Sequence, residues 1–302
     1  MHIPPARWVA LAGTVGISFS ALFVVLADVS PITATIFRGA YALPVLFVIR
    51  FMWRDRDTRP PRLRWLAVTA GAFLAVDLVL WHESIALIGA GLATVIANVQ
   101  VVFVGMYAWI VYRERPTILT LVCGAVVFLG VVLTSGLGRS DAFGADPVMG
   151  TLLAVASGLS YAAFLLMFRQ SNPRGDTPAP LPLLDTTVGM TVVALVVAAV
   201  AGDLALTPAW PAHGWLLLLG VGLQAGAWTL IAYAMPRLPA LTVSVIILAQ
   251  PVLAVVWGWL WLDETLSTVQ ILGAVMLLGG MTAVNLQRSM VTRKEPVPMP
   301  AG

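Results

Sequence analysis

Arg38 and Asp77 each stand about six residues inside an apolar run, counted from the ends nearest Asp28 and Glu83. At 1.5 Å of rise per helical residue that is a depth of roughly 9 Å. An Arg held in lipid costs about 2.5–3.5 kcal/mol on insertion scales, so it must face a partner or water. The matched depth on consecutive runs predicts that the two charges pair across the interior of a bundle. Such a pair is either a structural ion pair or a site for a polar substrate or a proton, and the sequence leaves both open.

Amides supply a second set. Asn98 and Gln100 fall near the middle of one apolar run, and Gln250 falls at the same place in a later one, directly before Pro251. Midplane amides either bind a substrate or hydrogen-bond between helices. Pro251 has no N–H to give, which frees the carbonyl of Ile247 beside Gln250. Tyr107, Trp109, Tyr161, Trp228, Tyr233, Trp257 and Trp259 surround these positions. Some of them belong at the lipid interface. Others, with Tyr161 and Trp228 the candidates, suit the wall of a cavity for a hydrophobic or cationic solute. His82-Glu83 closes a run and is either a solvated surface pair or a proton sensor.

Other chemistries find little here. The single cysteine, Cys123, excludes a disulfide within the chain and any Cys-based metal site, and His2, His82 and His213 have no metal-ligand spacing. The sequence has no GxxxxGK[ST] loop to bind nucleotide. It also lacks GxSxG and HExxH, and the histidines within the apolar region lie at run ends, so an intramembrane enzyme has no nucleophile–base pair to work with. The reading therefore needs no cofactor and no metal.

What positions the candidate residues is a set of apolar helices. Of 302 residues 60% are hydrophobic and only 10% charged, with a mean hydropathy of +0.94. A soluble domain carries about 25% charged residues, so this chain belongs in a bilayer. Its pI of 9.4 comes from cations lying between the apolar runs. That placement fits lipid head groups and not nucleic acid. Ten runs are long enough to cross at about 20 residues each: 8–27, 32–52, 65–84, 88–111, 118–135, 148–168, 181–201, 214–234, 240–261 and 268–286. Each must be helical, because lipid offers bare backbone groups no partner. Fifteen of the 17 cations fall in one set of alternate connections and termini. That set is cytoplasmic by the positive-inside rule, which puts both termini in the cytoplasm and the chain in the cell membrane. The 53–64 loop reads as a basic topology signal. Asp185 lies early in the seventh run, near the cytoplasmic face and within reach of water.

The runs repeat. Shifted by 150 positions, Trp65 falls on Trp215, Gln100 on Gln250, Trp109 on Trp259 and Glu114 on Glu264 without a gap. Gly16, Ser18 and Ala21 map onto Gly158, Ser160 and Ala163 at a shift of 142. The fold class is therefore all-α integral membrane, ten transmembrane helices as two five-helix repeats. Five is odd, so the second repeat is inverted, a build common among secondary transporters. Thr117 and Ser267 stand where N-caps belong, Ser267 with Gln270 as a capping box. Glu114 and Glu264 read as turn residues. Gly124, Gly130, Gly273, Gly279 and the Gly222/Gly226 pair allow close helix contact, within the bundle or between protomers of a homodimer.

These features resemble the EamA family of the drug/metabolite transporter superfamily. The resemblance rests on Ala86-Leu87, the small-residue entry to the fourth run, Arg113-Glu114-Arg115-Pro116 followed by Gly124 and Gly130, and their echoes Gln250-Pro251, Asp263-Glu264, Gly273 and Gly279. It implies an EamA-type repeat over 1–140, a second over 148–288, and a disordered cytoplasmic tail over 289–302. It also implies alternating-access export or exchange of small metabolites, amino acids or hydrophobic and toxic compounds, with the lipid bilayer as the other partner. Val101 stands where the second half has Pro251, so the first half's cavity wall is expected to be the less broken one. The first run holds Ser18 and Ser20 but no acid, which gives no support to proton coupling through that helix. A passive channel or lipid scramblase is the competing function, with an intramembrane enzyme behind it.

Overall fold

Apolar runs without water to satisfy their backbones become helices, and the computed structural model shows them as such. It describes residues 5–53, 57–113, 117–137, 139–173, 175–234, 237–238 and 240–294, and no strand occurs among them. In chain order the helices are α1 (Ala6–Ser18), α2 (Ser20–Ala27), α3 (Pro31–Met52), α4 (Pro61–Ala97), α5 (Gln100–Tyr112), α6 (Ile118–Thr134), α7 (Pro147–Gln170) and α8 (Pro180–Ala201). They continue with α9 (Ala212–Leu217), a π-helical stretch over Leu218–Ala227, α10 (Trp228–Ala234), α11 (Ala240–Trp261) and α12 (Thr268–Lys294). Among the described residues six helices are long and apolar enough to cross a membrane, the longest run being Pro61–Val111, and Ile118–Thr134, Ile246–Trp261 and Thr268–Val284 are shorter apolar ones. Exposed apolar side chains such as Ile118, Leu121, Val122 and Phe128 on α6 cover a surface that water would not tolerate and lipid does.

Local sequence explains where the helices start. Ser30 caps α3, its Oγ accepting from the Thr33 N–H at 3.3 Å, with Pro31 at the first helical position. Thr117 caps α6 and Asp146 caps α7 in the same manner. The capping box forms: Gln270 N–H donates to Ser267 Oγ at 3.3 Å while Ser267 N–H donates to Gln270 Oε1 at 3.1 Å. α12 stays helical to Lys294, so helix runs into the stretch read as a tail. Residues 295–302 lie outside the described residues, as does Glu114.

α4 lies at the centre, packed on α7, α8 and α11. Backbone approaches at glycine hold it there. A side chain at Gly71 of α4 would strike the Thr186 carbonyl of α8, and one at Gly189 of α8 would strike the Val68 carbonyl of α4. Gly130 of α6 and Gly273 of α12 face each other similarly, so these two serve packing inside the bundle. Gly124, Gly222 and Gly279 have nothing within 4 Å of where a side chain would start.

At the basic end of the bundle the connection leading into α4 is more than a topology signal. Arg59 Nε meets Asp57 Oδ1 at 2.9 Å and its Nη2 meets Asp185 Oδ2 at 2.7 Å. Arg50 reaches Asp57 at 2.6 Å and Arg64 reaches Asp185 at 3.5 Å. Asp185, expected within reach of water, is instead buried at 6% exposure and tied to this network. Burial alone would push the Asp57 carboxyl up, but hydrogen bonds from Arg59 and Arg50 outweigh it and hold the group at about 2, below its ordinary 3.8. A lowered carboxyl stabilises the fold above its unfolded value and loses that contribution as pH falls through the folded one. The expected result is a melting temperature that drops between about pH 4 and about pH 2 in wild type, with a smaller drop in Asp57→Asn over that window. Melts across a pH series in detergent check it.

Candidate functional site

A cavity of about 70 Å³ sits where α1–α2, α3, α4, α5, α7, α10 and α11 converge. Arg38, Asp77, Asn98, Gln100, Tyr161, Trp228 and Gln250 all border it. The sequence reading thus named residues that the fold brings to one place. Ser20, Thr94 and Trp81 complete its polar and aromatic lining.

The charges do not form the direct pair expected. Arg38, 3% exposed, donates from Nε to Gln224 Oε1 at 2.8 Å and from Nη1 to Ser20 Oγ at 2.9 Å. Asp77, 6% exposed, accepts at Oδ1 from Ser157 Oγ at 2.6 Å. Each charge therefore ends on neutral partners across a shared cavity. The reason lies in the neighbours. Gly39 lets α3 press on Thr191 of α8, and Gly220 lets the π-helical stretch press on the Arg38 carbonyl and Tyr41. That approach brings Gln224 under the guanidinium. Gln224 is in turn oriented by Thr187, whose Oγ1 lies 3.4 Å from Nε2 and itself donates to the Leu183 carbonyl at 2.8 Å. π-helical turns occur preferentially at functional positions, and here one carries the ligand of a buried cation.

Gln224 and Ser157 escaped the sequence reading. Gln224 aligns with Leu74 in the repeat, so a search for duplicated polar residues passes over it. A glutamine deep in an apolar run was the available signal. Ser20 holds Arg38 and borders the cavity.

The expected contrast between the halves is reversed. α11 remains helical through Pro251, whereas the first half breaks at Asn98–Val99 between α4 and α5. Backbone bonds across the break tighten to three-residue spacing, with Asn98 N–H to the Val95 carbonyl at 3.2 Å and Val102 N–H to the Val99 carbonyl at 2.8 Å. Asn98 Nδ2 donates to the Thr94 carbonyl at 2.8 Å, competing for a backbone acceptor as short amides do. Gly158 of α7 lies against the Ala97 carbonyl and Gln100 N–H, where a side chain would collide. The break presents Asn98 and Gln100 to the cavity, and Gln100 Oε1 is buried there without a hydrogen-bond partner.

Aromatic rings close the wall. Trp228 meets Tyr161 edge-on with centroids 6.5 Å apart and Phe164 at 6.0 Å. Trp257 donates to Ser18 Oγ at 2.9 Å. Trp109 and Trp259 are exposed on the bundle surface, as residues of an interfacial belt are.

A multi-helix membrane protein with an interior cavity of buried charge and amide is the architecture of a membrane transporter. The chain belongs to the EamA-like transporter family, whose sequence pattern matches it over residues 6–136 and again over 148–286. It is 26% identical over 261 residues to the threonine/homoserine exporter RhtA of Salmonella typhimurium, covering 84% of this chain and 81% of that one. It is 27% identical over 296 residues to an uncharacterized transporter of Archaeoglobus fulgidus, covering 93% of this chain and 99% of the relative. A transporter of Synechocystis, sll1319, is 23% identical over 238 residues, 74% of this chain and 67% of its own. One solved crystal structure superimposes with a TM-score of 0.65 at 15% identity, covering 95% of this chain and 98% of the other, a likeness of fold. The family and these relatives are transporters rather than enzymes.

Proposed function

We propose that this chain is a secondary exporter of small zwitterionic metabolites, amino acids foremost, working by alternating access. The observation that carries the reading is that Arg38 and Asp77 border one cavity yet do not neutralise each other. A guanidinium on one wall suits a carboxylate, and a carboxylate on the other suits an ammonium. A single small amino acid satisfies both. Asn98, Gln100 and Gln250 add neutral donors and acceptors for its polar side chain, and Trp228 and Tyr161 close over it. The RhtA relatives, named for threonine and homoserine, support that substrate class.

The two family-matched segments and the 150-residue register support ten spans in two inverted repeats of five. The cation count supports cytoplasmic termini in the cell membrane. Counterflow of radiolabelled L-threonine in proteoliposomes tests the function. Saturable uptake driven by internal unlabelled threonine supports it, and unsaturable uptake identifies a channel.

A further inference from the structure

Glu264 lies in the connection between α11 and α12, yet it is only 6% exposed. The chain folds it inward. Asp263 takes a left-handed backbone with φ of 53°, and Glu264 N–H donates to the Gly258 carbonyl at 3.2 Å. Its carboxylate crosses to α4, where Oε1 accepts from the Ala90 N–H and Oε2 accepts from the Gly91 N–H at 3.0 Å. Those N–H groups have no helical partner because α4 breaks immediately before them, at Gly89 with φ of 83° and ψ of 164°. Gly89, Gly91 and Gly258 all leave room for this one carboxylate, since a side chain on any of them would overlap it or press on it.

The segment so capped is functional ground. Ala90–Ala97 carries Thr94 and Ala97 to the central cavity and ends at Asn98. On its other side Glu264 borders a second cavity of about 520 Å³ at the acidic end of the bundle, with Asp28 and His82. That end is cinched further by Ala145 N–H on the Leu87 carbonyl at 2.8 Å, and by Gln270, which grips Phe143 N–H at 2.8 Å and its carbonyl at 3.0 Å.

We infer that Glu264 is a positioning residue for transport: its carboxylate holds the half-helix Ala90–Ala97 against α11 and keeps the acidic end of the cavity shut until the cap is released. This rests on the alternating-access reading above. Alternating access requires contacts at one end of a cavity to break while those at the other end hold, and α4 and α11 are in contact beside this one. A buried carboxylate on two otherwise orphaned N–H groups is a contact with two discrete arrangements, made or unmade.

The test reads sidedness and needs no substrate. In full-length protein with Cys123→Ala, a cavity reporter Leu78→Cys is labelled by a membrane-impermeant maleimide applied to either side of oriented proteoliposomes. Asp141→Cys, in the exposed connection before α7, marks the acidic side. Adding Glu264→Gln replaces an acceptor with an amide that repels one N–H. Loss of a charge-assisted contact is expected to raise Leu78→Cys labelling from the acidic side about ten- to hundredfold and to lower it from the basic side. Unchanged labelling, or a rise from both sides together, overturns the proposal and leaves Glu264 a purely structural cap. Free, simultaneous access from both sides in the wild-type background overturns alternating access itself. A sidedness shift in a protein that carries no zwitterion sustains the role of Glu264 while removing the substrate assignment.

Discussion

Asp77→Asn is expected to stay folded and to lose zwitterion transport by about ten- to hundredfold in flux at low substrate, the value of one charge-assisted contact. Asparagine keeps the shape of the side chain and an oxygen to accept from Ser157 Oγ, so the α4–α7 contact survives. What disappears is the negative charge facing the substrate ammonium. The specificity should change in a definite sense. Asp77→Asn loses substrates with an ammonium and tolerates hydroxy acids that carry only the carboxylate. Arg38→Gln does the opposite, rejecting carboxylates and tolerating amines. Competition of L-threonine flux by a hydroxy acid and by an alkylamine, measured in each variant, reads this pattern. An effect of equal size on all three compounds in both variants would mean that the two charges serve folding alone.

Asp185→Ala is expected to cost about 1.5–3 kcal/mol, because it removes one of the two carboxylates that hold a buried cation. Arg59 is 7% exposed and has Asp57 and Asp185 as its carboxylate partners. Losing Asp185 leaves α8 unpinned from the loop preceding α4. Total stabilities of about 5–15 kcal/mol make that a large share. Replacing both Arg59 and Asp185 with apolar residues should recover part of the loss, since the desolvated charge goes as well. Melts of the two single variants and the double variant in detergent check this. A double variant no better than the worse single one would show that Arg59 matters through Asp57 instead.

The sequence reading picked out Arg38, Asp77, Asn98, Gln100 and Gln250, which border one cavity, but misjudged what the two charges touch. The rotation of each helix, which decides what a side chain touches, is set by packing. Gly39 and Gly220 turn Arg38 toward Gln224, 186 residues away, and nothing local encodes that partner. The break at Asn98 has no proline in the sequence to announce it. Asn98 manages the break with its own amide, helped by a glycine on α7. Glu264 read as a turn residue because its sequence neighbourhood is a turn. Its partners, Ala90 and Gly91, lie more than a hundred residues earlier. Asp185 read as solvated for the same reason: Arg59 is close only once α4 and α8 have packed through Gly71 and Gly189.

The central claim is that one cavity holds both ends of a zwitterion. Counterflow in proteoliposomes containing the wild-type chain tests it most directly, with L-threonine, an alkylamine and a hydroxy acid compared at equal concentration. Saturable counterflow of L-threonine, with little from either half-molecule, is the predicted result. Comparable flux of all three without saturation, or saturable flux of a hydrophobic cation alone, would contradict it.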